Sequence, residues 1–176
     1  MEKSNSIKKV CGFYVSSVHL ITMLLPYLNK KIEEQIEVIP VLEFDLRKNV
    51  ETILSKIVLK ESNKKQILSI NWKNTKVQKY SNIEGKLKEI NKGEKEAIIL
   101  ISGSKKYIKI ANEMIEKYFS KYKDYKKYIT IINCFEVEEF DDDIREILYE
   151  HEFIINTSGI NKVEDVFEVR KEKQVN

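Results

Sequence analysis

Short runs of apolar residues alternate with longer amphipathic segments along most of the chain. Runs rich in β-branched and aromatic residues predict strands that are buried on both faces. The strands predicted in this way cover residues 9–15, 37–44, 66–72, 97–101, 129–134 and 153–156. Pro40 lies inside the second run, and because proline cannot donate a ladder hydrogen bond, it favours an edge strand or a strand end.

Apolar residues spaced by three and four predict helices between these strands. Ser16 and Ser17 can cap the first helix, whose buried face is formed by Ile21, Leu24, Leu25, Leu28 and Ile32. Further helices are predicted from an Asp45 N-cap to about residue 58, from a Ser81–Glu84 capping box towards Gly93, over 105–122 and over 142–151, with a helical turn at 163–167. Residues 60–65 are predicted to form a charged loop.

Strands that alternate with helices of this length predict a parallel sheet with right-handed crossovers. We therefore expect an α/β fold, a three-layer α/β/α sandwich with a mostly parallel sheet of five to six strands. The 176 residues fit one domain over residues 9–168, between a polar tail at 1–8 and a loose tail at 169–176. Neither GxxxxGK[ST] nor GxGxxG occurs, so no phosphate-binding loop is predicted.

The composition is that of a globular domain, with 42% apolar and 34% charged residues and a net charge of +3 that does not by itself indicate nucleic acid. Cys11 and Cys134 lie in apolar runs without paired spacing, which indicates buried free thiols and a cytoplasmic location. Residues 10–29 resemble a short membrane span, but His19 and Pro26 interrupt the run. A strand, a turn and a helix explain it better, so no membrane association is expected.

Ligands of open parallel sheets bind beyond the carboxyl ends of the strands. The candidate ligand-binding residues are therefore Tyr14, Ser16, Trp72, Ser102, Gly103, Ser104, Cys134 and His151. The turn formed by Ser102, Gly103 and Ser104 follows a strand and opens a helix, so its N–H groups are able to hold an anion. A plain helix-capping turn explains the same residues.

No set of residues predicts catalysis, a metal site or a cofactor. His19 and His151 have no carboxylate or cysteine nearby at metal-ligand spacing, and Cys134 has no activating base visible in the sequence. Residues 105–127 hold eight lysines and three acids, interleaved with aromatic residues, which permits an RNA-binding hypothesis. The aromatic residues share a helical apolar stripe, however, so a solvated lysine face is favoured over a nucleic-acid partner.

The order of several short motifs suggests a family. These motifs are Phe13-Tyr14, Leu24-Leu25-Pro26-Tyr27-Leu28, Ile101-Ser102-Gly103, Cys134, Phe140-Asp141 and His151. Their order and spacing, over residues 9–159, resemble the MEDS domain, the methanogen/methylotroph sensory domain. The chain departs from the family pattern at Lys9, at Ser104, at Phe135-Glu136-Val137 and at Glu152. Because these positions surround the family's pocket, the family's ligands, small hydrocarbon derivatives, are not carried over.

The resemblance implies a RecA-like α/β core that lacks the phosphate loop and a sensory domain without catalytic activity. Such a domain binds a small ligand and acts in signal transduction through a partner protein, such as a kinase or a transcription regulator. The alternative is a small Rossmann-like enzyme that uses a nucleotide or S-adenosylmethionine, with the ligand at the Ser102–Ser104 turn.

Overall fold

The computed structural model describes residues 7–90, 96–122, 128–138 and 142–167. The strands are β1 (Ile7–Tyr14), β2 (Glu37–Leu42), β3 (Ala97–Gly103), β4 (Ile129–Glu136), β5 (Phe153–Asn156) and β6 (Gly159–Lys162). The helices are α1 (Ser17–Glu33), α2 (Arg47–Leu54), α3 (Glu61–Ser69), α4 (Tyr80–Ile90), α5 (Lys105–Lys121), α6 (Asp142–Glu150) and α7 (Val163–Val166). Gly93, Phe140-Asp141, residues 123–127 of the lysine-rich stretch, residues 1–6 and the predicted tail at 169–176 lie outside the described residues.

In the described residues, six strands form one sheet in the order β2-β3-β4-β1-β5-β6. The first five strands are parallel, and β6 is antiparallel to β5. Helices α1, α2 and α3 pack on one face of the sheet, whereas α4, α5 and α6 pack on the other. The expected three-layer sandwich with a mostly parallel sheet is therefore confirmed. Strand β2 lies at an edge of the sheet, the position that Pro40 favours.

Successive residues of each strand face opposite sides of the sheet. In β4, Ile131 belongs to the core under α4, α5 and α6, and Ile132 belongs to the core under α1, α2 and α3. The same alternation sends Asn133 to the first of these cores and Cys134 to the second. A shift of one residue along the strand therefore changes which helices a side chain contacts.

The predicted strand at 66–72 is wrong, as is the predicted loop at 60–65. Helix α3 runs from Glu61 to Ser69 through both segments, and no strand follows it up to Trp72. A short apolar run does not by itself distinguish a helix from a strand. Here Ile67 and Trp72 are the fully buried residues of the run, and the Ile67 carbonyl accepts a hydrogen bond from the Trp72 indole N–H at 2.8 Å.

Some helix starts also differ from the prediction. Asp45 is not the N-cap of α2: Leu46 holds that position, and Asp45 Oδ1 instead accepts from the Asn74 N–H at 2.5 Å. Helix α4 begins at Tyr80, so Ser81 lies inside its first turn. Ser16 and Ser104 do cap α1 and α5 as expected. Strand β6 was not predicted, because its four residues show no apolar alternation.

Candidate functional site

The carboxyl ends of β1, β3 and β4 bring three predicted site residues to one face of the sheet. Cys134 pairs in register with Gly12 of β1 and Ser102 of β3. The Ser102 hydroxyl donates to the Tyr14 hydroxyl at 3.0 Å, across the intervening β4. Burial raises the pKa of Tyr14 to about 12. The Tyr14–Ser102 pair is thus a neutral hydrogen bond that closes the core at this end of the sheet.

Trp72 and Cys134 lie deeper in the same core. Trp72 is 1% exposed and Cys134 is fully buried, so neither lines an open pocket wall. Burial raises the pKa of the Cys134 thiol far above its ordinary value and that of Cys11 to about 12. Thiolates are the reactive form of cysteine, so both thiols are inert as nucleophiles.

The Ser102–Ser104 turn already holds a carboxylate from the chain itself. Glu43, which follows β2, accepts from the Ser104 backbone N–H at 2.6 Å and from the Ser104 hydroxyl at 3.2 Å. Gly103 allows this approach, because a Cβ there would lie 2.5 Å from Glu43 Oε2. The positive end of α5 thus receives its negative charge from Glu43, in the position predicted for an external anion.

Ser16 acts as a helix cap at the start of α1. Its hydroxyl accepts from the His19 N–H at 3.1 Å, and the His19 ring accepts from the Val15 N–H through Nδ1 at 3.2 Å. Both side chains are exposed. This local turn satisfies the donors of the first helical turn, so it explains Ser16 and His19 without a ligand.

His151 lies on the opposite face of the sheet from Tyr14 and Cys134, in a buried chain of polar side chains. Asn112 of α5 donates through Nδ2 to Asn133 Oδ1 at 2.9 Å, and Asn133 Nδ2 lies 3.1 Å from His151 Nε2. His151 Nδ1 lies 2.7 Å from the Ile147 carbonyl oxygen. Because a carbonyl only accepts, Nδ1 carries the proton, and Nε2 accepts from Asn133.

This polar chain holds the imidazole neutral. His151 is 8% exposed, and burial lowers its pKa below the ordinary value of 6.5. A second proton on the ring would set two donors, Nε2–H and the Asn133 amide, against each other. The Asn133 hydrogen bond therefore acts in the same direction as the burial, whereas the bond to the Ile147 carbonyl opposes it.

The Asn112–Asn133–His151 chain lines a groove of about 350 Å³ between α5 and α6, which we call the α5–α6 groove. Phe135, Ile108 and Ile147 supply its apolar surface. The charged residues that line it are Lys9, Lys105, Lys109, Glu113, Glu116 and Glu150. Lys9 pairs with Glu116 at 2.6 Å and Lys105 with Glu146 at 3.5 Å. In the described part of the chain, no carboxylate lies within ion-pair distance of Lys109.

The sequence reasoning missed Asn112, Asn133 and Glu43. Asn133 was visible as a single polar residue within the apolar run at 129–134, and Asn112 follows Ala111 on the buried stripe of α5. A polar residue in such a position requires a buried partner. Nothing in the sequence pairs Glu43 with Ser104, because 61 residues separate them.

Within the described ranges, no three or more His, Cys, Asp or Glu side chains are grouped so that they could hold a metal ion. No helix among the described residues combines the length and the apolar character needed to cross a membrane. In comparisons with models of known protein families, with curated proteins and with solved structures, nothing matched this chain.

Proposed function

We propose that this chain is a sensory domain that binds a small ligand in the α5–α6 groove, without turning it over, and acts through a partner protein. The observation that carries the proposal is the buried Asn112–Asn133–His151 chain beside a cavity of ligand size. Such a chain fixes the polar wall of a pocket in one arrangement, which is what selective binding requires. The motif order that resembles the MEDS domain supports the same class of function.

His151 and the two cysteines are held in states that do not suit catalysis. Both ring nitrogens of His151 have protein partners, so neither is available to take a proton from a substrate. Burial keeps both thiols protonated. These contacts favour binding over bond-making chemistry.

The lining of the α5–α6 groove favours a small polar ligand with an anionic group over a hydrocarbon derivative. Six charged side chains surround the groove, and Lys109 is the lysine available to an anion, since Lys9 and Lys105 are in ion pairs. Asn112 is only partly buried, and because its Nδ2 donates to Asn133 and to the Ile108 carbonyl, it offers its Oδ1 at the same wall. We infer that the anionic group pairs with Lys109 while the polar body of the ligand meets Asn112.

The alternative, an enzyme that uses a nucleotide or S-adenosylmethionine at the Ser102–Ser104 turn, requires Glu43 to leave that turn. Its carboxylate accepts a backbone bond of 2.6 Å there, and a phosphate would have to displace it. Charge-assisted hydrogen bonds of this kind are among the stronger ones in proteins. We therefore place the ligand in the α5–α6 groove.

A thermal-shift screen of small anionic metabolites, with nucleotides and S-adenosylmethionine included, tests the proposal. We expect a stabilising ligand whose amide chemical-shift changes cluster on Lys109, Asn112 and His151. Lys109→Gln should weaken its binding about tenfold, a loss of about 1.4 kcal/mol. Lys117→Gln is the matched control, because Lys117 lies on the same helix over the Tyr80 ring. A ligand that shifts only Glu43 and Ser104, or turnover of any substrate, would favour the enzyme instead.

A further inference from the structure

The outer edge of β2 lies at the bottom of a second groove. In a strand, the N–H and C=O of one residue point to the same side, and successive residues alternate. The Glu43 N–H donates to the Ser102 carbonyl of β3 at 2.9 Å, so odd-numbered residues here point inward. The even-numbered residues Ile36, Val38, Pro40 and Leu42 therefore point their backbone groups away from the sheet.

Most of these outward groups already have partners. The Leu42 carbonyl accepts from the Thr75 N–H at 2.7 Å, and the Pro40 carbonyl accepts from Lys86 Nζ at 2.6 Å. Pro40 has no N–H, and the Ile36 N–H donates to the Lys31 carbonyl at 2.9 Å. Among the described residues, no group bonds to the outward N–H or C=O of Val38. A donor and an acceptor side by side on a strand edge are what an added strand pairs with.

The groove over Val38 has a volume of about 710 Å³, and we call it the β2-edge groove. One wall is α4, with Asn82, Gly85, Lys86 and Glu89, and the other follows α3, with Ser69, Ile70 and Asn71. Because both walls stand beside the strand, the edge is recessed. A single extended chain reaches it, whereas the equally recessed edge of a second copy does not.

Gly85, in the α4 wall, is a second and independent observation that indicates a ligand in the β2-edge groove. It lies in the interior of α4, where glycine destabilises a helix relative to alanine. A Cβ at Gly85 would meet no atom of the described residues within 4 Å, so packing against them does not require glycine. A glycine without such a reason, in the wall of a groove, leaves room for a backbone from outside.

The charged side chains of the α4 wall indicate which side chains a bound segment would have. Lys86 is partly buried, and burial lowers its pKa, so an acidic partner would stabilise its charge. In the part of the chain that the structure describes, no carboxylate lies within ion-pair distance of Lys86. Glu89 is exposed one turn further along α4. The opposite wall offers Ile70 and Ile36, which are partly buried.

We propose that the β2-edge groove binds an extended peptide segment of a partner protein, which adds a strand to the sheet at Val38. Side chains of an added strand alternate between the walls. The segment therefore carries an acidic and a basic residue two positions apart for Lys86 and Glu89, with branched aliphatic residues between and beside them for Ile36 and Ile70. This gives the proposed sensory function a surface for its partner. The experiments that test the peptide site do not involve the α5–α6 groove. The peptide proposal and the ligand proposal can therefore fail independently of each other.

Hydrogen exchange of the free protein is the first test. We expect the Val38 amide to exchange at nearly the rate of an unstructured chain, while the amides of Ile39 and Val41, which point to β3, are protected. Strong protection of Val38 in the free protein would mean that the edge is already covered, and it would overturn the proposal.

Selection of displayed random heptapeptides on the full chain is the second test. Selected peptides should carry the charge pattern given above, protect the Val38 amide, and lose about fivefold in affinity when the residue that pairs with Val38 is N-methylated, the effect of one hydrogen bond. Gly85→Trp should abolish their binding because it fills the groove. Gly85→Ala, which adds only one methyl group, should retain it.

Three results of the peptide selection would also overturn the proposal. These are a failure to enrich any peptide, binding that Gly85→Trp leaves unchanged, and binding that tolerates N-methylation at every position. N-methylation alters the peptide and not the protein, so it decides the question even if Gly85→Trp does not fold.

Discussion

The polar residues on the two faces of the sheet lie in different environments. Under α1, α2 and α3, Tyr14 and Ser102 bond to each other, and Trp72 and Cys134 are buried without access to a cavity. Under α4, α5 and α6, a buried polar chain ends at His151 beside an open groove. Asn133 and Cys134 are neighbours in β4, yet their side chains lie on opposite faces of the sheet. The comparison teaches that one face closes its polar groups within the core, whereas the other leaves them beside a groove, where we propose that a ligand binds.

The largest expected effect is on the closed face. Trp72→Ala should lower the free energy of unfolding by about 4 kcal/mol, because it removes a large buried side chain and leaves a cavity. Denaturant unfolding, with the exposed Tyr149→Ala as control, measures the difference. A loss below about 1 kcal/mol would mean that this face is not the tightly packed one.

A smaller effect is expected from the polar chain of the other face. Asn133→Leu should cost about 2 kcal/mol, because it leaves His151 Nε2 buried without its donor and removes one of the two acceptors of Asn112 Nδ2, which keeps the Ile108 carbonyl. Adding His151→Leu to this variant should cost less than His151→Leu does in the wild type, since the two residues form one network. Strict additivity of the two changes would contradict the network.

The pH dependence of stability should also distinguish the two faces, since His151 lies on only one of them. The folded state holds the pKa of His151 below the ordinary 6.5, so the unfolded chain binds the proton more readily. The stability from neutral His151 is therefore complete above about pH 6.5 and is lost as the pH falls below it. Burial is the largest cause of this shift; the hydrogen bond to the Ile147 carbonyl and the charge of Glu150 oppose it, and Lys9 lowers the pKa further.

Denaturant unfolding between pH 5 and 7 measures this loss, whose slope for one proton is at most about 1.4 kcal/mol per pH unit. His151→Gln should flatten the curve in this range. Cys134→Ala, on the closed face, should shift the curve without changing its slope. An unchanged slope in His151→Gln would show that other groups cause the dependence.

The smallest expected effect concerns the wall of the β2-edge groove. Gly85→Ala should raise the free energy of unfolding by about 0.5–1 kcal/mol, because alanine suits a helix interior better and its Cβ meets no neighbour among the described residues. Thermal unfolding measures the gain. A loss of stability would mean that the glycine is required by the fold, and Gly85 would then no longer point to an outside ligand.

Much of the fold could be predicted from local patterns. Helix α5 was placed to within one residue, because its apolar stripe and its Ser104 cap agree. Strands β1, β3 and β4 were found from their apolar runs, and Pro40 indicated the edge position of β2. Helix α3 was mistaken for a strand because a run of so few apolar residues fits either structure.

Of the candidate site, the sequence supplied Tyr14, Ser102, Cys134 and His151 but not their grouping. The structure joins Tyr14 to Ser102 on one face and places His151 on the other with Asn133. It also brings Glu43 to the Ser104 turn. Such contacts join residues far apart along the chain, and a local pattern contains no information on which of them meet.

The sequence by itself determined that strands and helices alternate and which residues are apolar enough to be buried, because these properties depend on near neighbours and on side-chain chemistry. Only the tertiary structure decided the strand order, the face on which each polar side chain lies, and the backbone groups of β2 that no described residue bonds to. Strand pairing and the packing of helices fix those features, and both depend on the whole chain at once.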